Sequence, residues 1–388
     1  MTGPRFVLIL SDGIRGHVNQ SRGVALWLSR LTNSGFKEVE VPRLSGTRRF
    51  LALKVRARSL PTAGTETARK WLLESGGSTL LSEVARLCEG SALSGPELLF
   101  LSTGSTAAPY SLALARYFEG RAATVMTPSV LGTRPFDFAI VPAHDCPGAD
   151  PNVFRTLGAP NAIDKAALER EAEALLERFP PSSAQRWGVL VGGDDANYRI
   201  PSDWIRRTIG DLAGKALKCQ ADLYVTSSRR TSADAEKTLA EISRETSVFR
   251  MLLLASKDSS NPVPGILGGC GEIFCTEDSV SMVSEAATAG FAVRLLRVER
   301  RGGCIRSIQE SASRLVRFGF LPKSFLWGVP RFDAMLEEFK TRGLATETSP
   351  WGENGRVSEG ELRPEFNEAR DAAGWIVREW NNKGGLLS

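Results

Sequence analysis

Two periodicities take turns along most of this chain. Short apolar runs stop at Gly, Ser, Thr or Asp. They give way to stretches in which apolar residues return every three or four positions, the alternation of parallel α/β sheets. The run at 5–10 predicts a buried strand, broken by Gly13 and Gly16 before a helix through Val18, Val24, Leu28 and Leu31. Strands are expected at 39–41, 98–101, 123–126 and 138–141, with helices at 80–87 and 107–118.

The regime changes after Asn161. Residues 164–179 are helical and charge-rich, and Pro180-Pro181-Ser182-Ser183 breaks them. The opening pattern then recurs, as an apolar strand at 189–191 running into Gly192-Gly193. The second half continues with a helix at 204–217, a strand at 223–226, a helix to about residue 246, and strands at 249–254 and 273–275. A helix at 279–289, stopped by Gly290, and a strand at 293–296 follow. The expected fold is α/β: two Rossmann-like domains with parallel sheets facing an interdomain cleft, an N-terminal one over 1–162 and a C-terminal one over 163–345. A turn-rich tail, 346–388, ends in a helix around 365–380 that can return to the first domain.

With 388 residues, 42% apolar and 24% charged, the chain has the composition of two full-sized globular cores. No apolar run reaches the length of a membrane span, and residues 1–10 lack the basic start and cleavage site of a signal peptide. A cytoplasmic protein, peripheral on the inner membrane, is therefore expected. Six scattered cysteines without a C-x-x-C pair point to reduced thiols. Two histidines, His17 and His144, are too few for a multi-histidine zinc centre, so a site free of metal, or using a weakly held ion, is expected. The net charge of +5 excludes little, and no nucleic-acid partner is expected. Its distribution matters more: Arg43, Arg48, Arg49, Lys54, Arg56 and Arg58 occur without an acid among them, interleaved with Phe50, Leu51, Leu53, Val55 and Leu60. Such a stretch suits an anionic membrane or a lipid-linked acceptor, or else is a helix packed on one side and solvated on the other.

In open α/β sheets, ligands bind beyond the carboxyl ends of strands. In Ser11-Asp12-Gly13-Ile14-Arg15-Gly16-His17, two glycines allow a tight turn that delivers His17 to a helix start, where it can take a proton from an acceptor hydroxyl with Asp12 as partner. The alternative is that Asp12 caps the helix and His17 is merely exposed. His144 and Asp145 end another strand, Asp145 being a second candidate base. In the second half, Gly192 and Gly193 are compatible with phosphate approach, although Asp194 and Asp195 repel a naked diphosphate. Ser227, Arg229 and Arg230 suit phosphate oxygens, or form a solvated turn. Glu277, Asp278, Ser279 and Ser281 lead into a helix carrying Glu285, whose carboxylate can accept from a ribose diol.

The strings Ser11-Asp12-Gly13…Gly16-His17…Asn19-Gln20, Val141-Pro142…His144-Asp145, 157–161, 226–231 and 276–286 resemble the family named after a plant mitochondrial-fission (elongated-mitochondria) protein. Its members are mostly bacterial, and many are described only as candidate glycosyltransferases. The wider pattern looks like a GT-B glycosyltransferase and is similar to the N-acetylglucosaminyltransferase that forms lipid II. The resemblance implies that Gly16-His17 opens the acceptor side and that Ser284-Glu285 meets the nucleotide ribose. The function expected is an inverting, metal-independent transfer from a nucleoside-diphosphate sugar to a cell-envelope glycolipid or saccharide, with no tightly bound cofactor. A non-catalytic interaction protein on the same shell, or a sugar-nucleotide epimerase or hydrolase, are the alternatives.

Overall fold

The computed structural model describes residues 3–43, 47–145, 147–302, 314–315, 329–347 and 365–384. The chain divides into two compact units, Met1–Ala162 with Asn367–Ser388, and Ile163–Phe366. Each is a six-stranded parallel sheet with helices on both faces, so the chain holds two Rossmann-like α/β units.

In the first unit, β1 (Phe6–Ser11), β2 (Gly35–Glu40), β3 (Leu98–Thr103), β4 (Arg121–Val125), β5 (Phe138–Pro142) and β6 (Val153–Thr156) lie in the order β2-β1-β3-β4-β5-β6. The unbroken apolar run of β1 is explained by burial on both faces. Leu8 and Leu10 join a core with Phe100, Tyr110 and Leu112, while Val7 and Ile9 join Leu99, Leu101, Ile376 and Val377 on the other side. The first face is covered by α2 (Thr47–Ala57), α3 (Thr65–Glu74), α4 (Ser78–Ser91) and α5 (Gly104–Phe118). The second is covered by α1 (Arg15–Thr32) and the C-terminal helix, which packs along it. That C-terminal helix is held at its first residue, where the buried Glu368 carboxylate accepts from the amides of Leu157, 2.6 Å, and Gly158, 3.4 Å.

In the second unit, α6 (Lys165–Arg178) precedes β7 (Gln185–Leu190). The sheet adds β9 (Ala221–Thr226), β10 (Phe249–Leu253), β11 (Glu272–Thr276), β12 (Val293–Leu296) and β14 (Ala345–Glu347) in the order β10-β9-β7-β11-β12-β14. Counted within the unit this is 3-2-1-4-5-6, the order of dinucleotide-binding sheets. A short antiparallel pair, β8 (Tyr198–Arg199) and β13 (Glu299–Arg300), lies outside it. One face packs on α7 (Ser202–Lys218) and α8 (Ala233–Glu245) through Ile205, Ile209, Leu212 and Leu239. The remaining helices are α9 (Val263–Gly269), α10 (Val280–Thr288), α11 (Val329–Thr341) and α12 (Glu368–Gly384), the last being the C-terminal helix of the first unit. Helix α9 contains three glycines and a proline, a composition poor for a helix. It forms because α6 lies almost backbone to backbone against it: a Cβ at Gly268 would stand 2.2 Å from the Leu168 carbonyl, and one at Gly265 2.8 Å from that of Glu171.

Among the described residues Cys88, Cys270 and Cys275 are buried, Cys219 is exposed, and all four are free thiols; Cys146 and Cys304 lie outside the described residues. Burial pushes the Cys270 thiol up to about 12. No helix among the described residues is long and apolar enough to cross a membrane.

Candidate functional site

Each sheet has one topological switch point, where consecutive connections leave to opposite sides and open a crevice at the carboxyl ends of two strands. In the first unit it lies between β1 and β3, in the second between β7 and β11.

At the first switch point, the turn after β1 is held by its own side chains. The Gly13 amide donates to Ser11 Oγ, 3.3 Å, and the Ile14 amide to Asp12 Oδ1, 3.1 Å. Gly13 needs its residue type for φ 78°. A Cβ at Gly13 or Gly16 would meet nothing within 4 Å, so both leave open space. Asp12 then reaches His17: Oδ2 lies 2.8 Å from Nδ1, with the Asp12 side chain 3% exposed and the imidazole 26%. One Asp12 oxygen thus holds the turn and the other the histidine, while α1 itself starts at Arg15 with no side-chain cap. A carboxylate on Nδ1 favours that nitrogen as the donor and leaves Nε2 as the acceptor.

His144 and Asp145 do not join this pair. They sit in the 3₁₀ turn Ala143–Asp145 after β5, three strands from β1, which is about 14 Å across the sheet at ordinary strand spacing. Asp145 Oδ2 accepts from the Thr127 amide, 3.1 Å, and Oδ1 lies 3.8 Å from His144 Nε2. Asp145 thus links the ends of β4 and β5.

At the second switch point the loops lock onto each other. The Gly192 amide donates to Thr276 Oγ1, 2.7 Å, and the Gly193 amide to Asp278 Oδ2, 2.9 Å. Arg230 also reaches Asp278 Oδ2, 2.7 Å, and donates to the Gly193 carbonyl, 3.1 Å. A Cβ at Gly192 would stand 2.2 Å from Asp278 Oδ2, and one at Gly193 2.1 Å from the Arg230 backbone. The two glycines are therefore required by protein packing, and their amides are spent on Thr276 and Asp278 rather than offered to a phosphate. Asp278 is buried, which pushes its carboxyl up, while the Gly193 amide and Arg230 pull it back.

Asp194 and Asp195 are half-buried and engaged by neighbours. Asp194 accepts from the Ile200 amide, 2.9 Å, and pairs with Arg301, 3.3 Å. Asp195 accepts from the amides of Asn197, 2.7 Å, and Tyr198, 2.8 Å, and pairs with Arg230, 3.4 Å. Each carboxylate is paired with an arginine, Asp194 with Arg301 and Asp195 with Arg230.

Two further expected ligand groups are engaged in the core. Ser227 Oγ donates to Glu236, 2.6 Å, and accepts from the Ala255 amide, 2.8 Å, tying β9 to α8 and β10. Glu277, 1% exposed, accepts from the Val298 amide, 2.9 Å, and from Arg297, which also bonds Glu347. Both have structural roles: a buried polar group left without a partner costs about 1–3 kcal/mol, and these partners remove that cost.

What remains for a ligand is narrower. Helix α10 starts at Val280 with no side-chain cap, although Ser279 occupies the capping position. Ser281 Oγ donates to Glu285, 3.2 Å, so both stand on one face of that helix, with Glu285 8% exposed. Arg229 is exposed, and no bond or ion pair engages it among the described residues. Two residues that matter here carry little local signal: Gly104 has only its place in Ser102-Thr103-Gly104-Ser105 at a strand end, and nothing in its local sequence distinguishes Arg297.

Known structures with similar chains include the Methanocaldococcus jannaschii UDP-GlcNAc 2-epimerase (12% identity, TM-score 0.48, covering 97% of this chain and 99% of that one). Staphylococcus aureus MnaA with UDP shows 11% identity and a TM-score of 0.47 over 99% and 98% of the two chains. A Polygonum tinctorium UDP-glucosyltransferase shows 11% and 0.46 over 98% and 100%. The Mitochondrial fission protein ELM1 of Arabidopsis thaliana is 26% identical over 184 residues, 46% of this chain and 42% of that protein, so the match spans less than half of the relative's length. The profile of the family described as Mitochondrial fission ELM1 matches residues 15–380, and the chain belongs to that family.

Proposed function

We propose that the protein is an inverting glycosyltransferase that uses a nucleoside-diphosphate sugar. The observation that carries this reading is the coincidence of chemistry and topology. The Asp12–His17 pair stands at the switch point of one sheet, and the uncapped, Glu285-bearing helix at that of a sheet with dinucleotide-binding strand order. In the proposed step, His17 Nε2 takes the acceptor hydroxyl proton as that oxygen attacks the anomeric carbon. The carbon–oxygen bond to the diphosphate breaks, and its electron pair leaves with the diphosphate. Arg229 and the start of α10 meet the departing charge, and Glu285 accepts from the ribose hydroxyls.

Calorimetry with UDP, GDP and ADP tests the donor side. One diphosphate is expected to bind, and Glu285→Ala to weaken it by roughly ten- to hundredfold, the worth of hydrogen bonds to a charged group. Equal affinity in the variant, or no binding of any diphosphate, rules the assignment out. Sugar release without an acceptor would identify a hydrolase or epimerase instead.

The acceptor is proposed to be lipid-linked, at the cytosolic face of an anionic membrane. Helix α2 supports this. Leu53 and Ala57 are buried, but Leu51 and Val55 are 61% and 55% exposed on the outer stripe, beside exposed Arg48 and Arg58. Arg56 is occupied by Glu74. Sedimentation with phosphatidylglycerol vesicles should carry the protein down in low salt, and Leu51→Asp with Val55→Asp should leave it in the supernatant. Binding that ignores both salt and the substitutions removes α2 from the account.

A further inference from the structure

We infer that Gly104 is a positioning residue for the His17 imidazole, an inference that rests on the assignment of His17 as the base. Gly104 is the first residue of α5, directly after β3, and lies on the far side of the switch point from Asp12. Two separate observations mark it. Its φ is 80°, a left-handed conformation that a side chain disfavours. A Cβ built there would stand 2.7 Å from Cε1, 3.0 Å from Nδ1 and 3.4 Å from Nε2 of His17. The imidazole therefore rests directly on the Gly104 backbone, occupying the volume of the missing side chain.

Asp12 and Gly104 act together. A hydrogen bond to Nδ1 alone leaves the ring able to swing about the bond axis. A backbone surface beneath the ring removes that freedom and sets the direction in which Nε2 points. The spacing of the two supports is itself braced: Ser21 Oγ, one turn along α1 from His17, lies 2.6 Å from Thr103 Oγ1, the residue preceding Gly104. Both hydroxyls are buried. The start of α1 is thus tied to the end of β3 at the place where the ring must fit between them. A side chain at 104 would force the ring or the backbone beneath it to shift.

Because the chain has only two histidines, long-range proton–nitrogen NMR reads the ring of each without ambiguity. In the unaltered protein His17 is expected to show a single tautomer, protonated on Nδ1. In Gly104→Ala its nitrogen signals should move toward the mixed tautomers of a free imidazole, while those of His144 stay in place. A folded Gly104→Ala with unchanged His17 signals overturns the inference. If Gly104→Ala does not fold, the pair Gly104→Ala with His17→Ala decides. Recovery of folding once the ring is gone supports the contact, and equal failure means that the glycine serves the backbone alone. None of these readings needs turnover, so loss of the clamp and loss of the transferase assignment are separate results. With an acceptor in hand, Gly104→Ala should lower kcat at least tenfold and leave KM for the donor unchanged.

Discussion

Trp380→Ala is expected to destabilise the first unit by about 3–5 kcal/mol, the usual cost of deleting a large buried aromatic. Trp380 lies near the end of α12, 7% exposed, and stacks on Phe138 with ring centroids 5.9 Å apart. The Arg121 guanidinium sits 4.2 Å over its ring and donates to its carbonyl, 2.9 Å. Burial pulls the Arg121 pKa down from its ordinary value, so this cation depends on the aromatic face and the carbonyl that receive it. Removing the indole strips the packing and the aromatic face beneath the cation, leaving it the carbonyl alone of these two. Denaturant unfolding should show two transitions, since the chain has two units with separate cores. The one belonging to the first unit should move to lower denaturant while the other stays. Trp380→Phe should recover most of the loss. A shift under about 1 kcal/mol in the alanine variant would mean that α12 is held elsewhere, for example by Glu368 alone.

The second large effect is on chemistry. His17→Ala should lower sugar transfer by about 10²–10⁴-fold, the usual contribution of a positioned general base. Donor affinity should hold, because the proposed nucleotide groups belong to the other unit. Asp12→Asn should give an intermediate loss. The amide can still meet the turn through its oxygen, but its NH₂ face offers Nδ1 a donor where the imidazole needs an acceptor. Transfer rates measured at saturating donor decide the matter, and an unchanged rate in His17→Ala would dismiss the proposed base.

Much of the architecture could be read from the chain because it rests on local rules. The apolar runs of β1 and β3, the glycine break after β1 and the small-residue helix after β11 lie where the pattern puts them, with ends off by a residue or two, while β7 starts four residues before the expected 189. The pattern gave no element for α3, α9, α11, β6 or β14. Helix α9 shows why. Its glycines are poor helix formers, yet the close approach of α6 demands glycine at 265 and 268. Tertiary contact outweighed propensity, which is worth about 1 kcal/mol for each such residue.

The candidate site divides along the same line. Residue types at strand ends are a local property, so Asp12, His17, Asp278 and Glu285 could be singled out from the sequence. Whether a polar group is left over for a ligand is a long-range property. Glu277 is used by Arg297 and the Val298 amide, Ser227 by Glu236 and the Ala255 amide, and the glycine amides of the β7 loop by Thr276 and Asp278. Those partners lie from nine to 85 positions away. The sequence by itself determined the alternation of strands and helices and the chemistry available at their ends, because both follow from side-chain spacing along the chain. Only the tertiary structure decided which of those groups are already hydrogen-bonded, and that a glycine 87 positions from His17 supports its ring, because burial and partnership depend on which strands the sheet brings side by side.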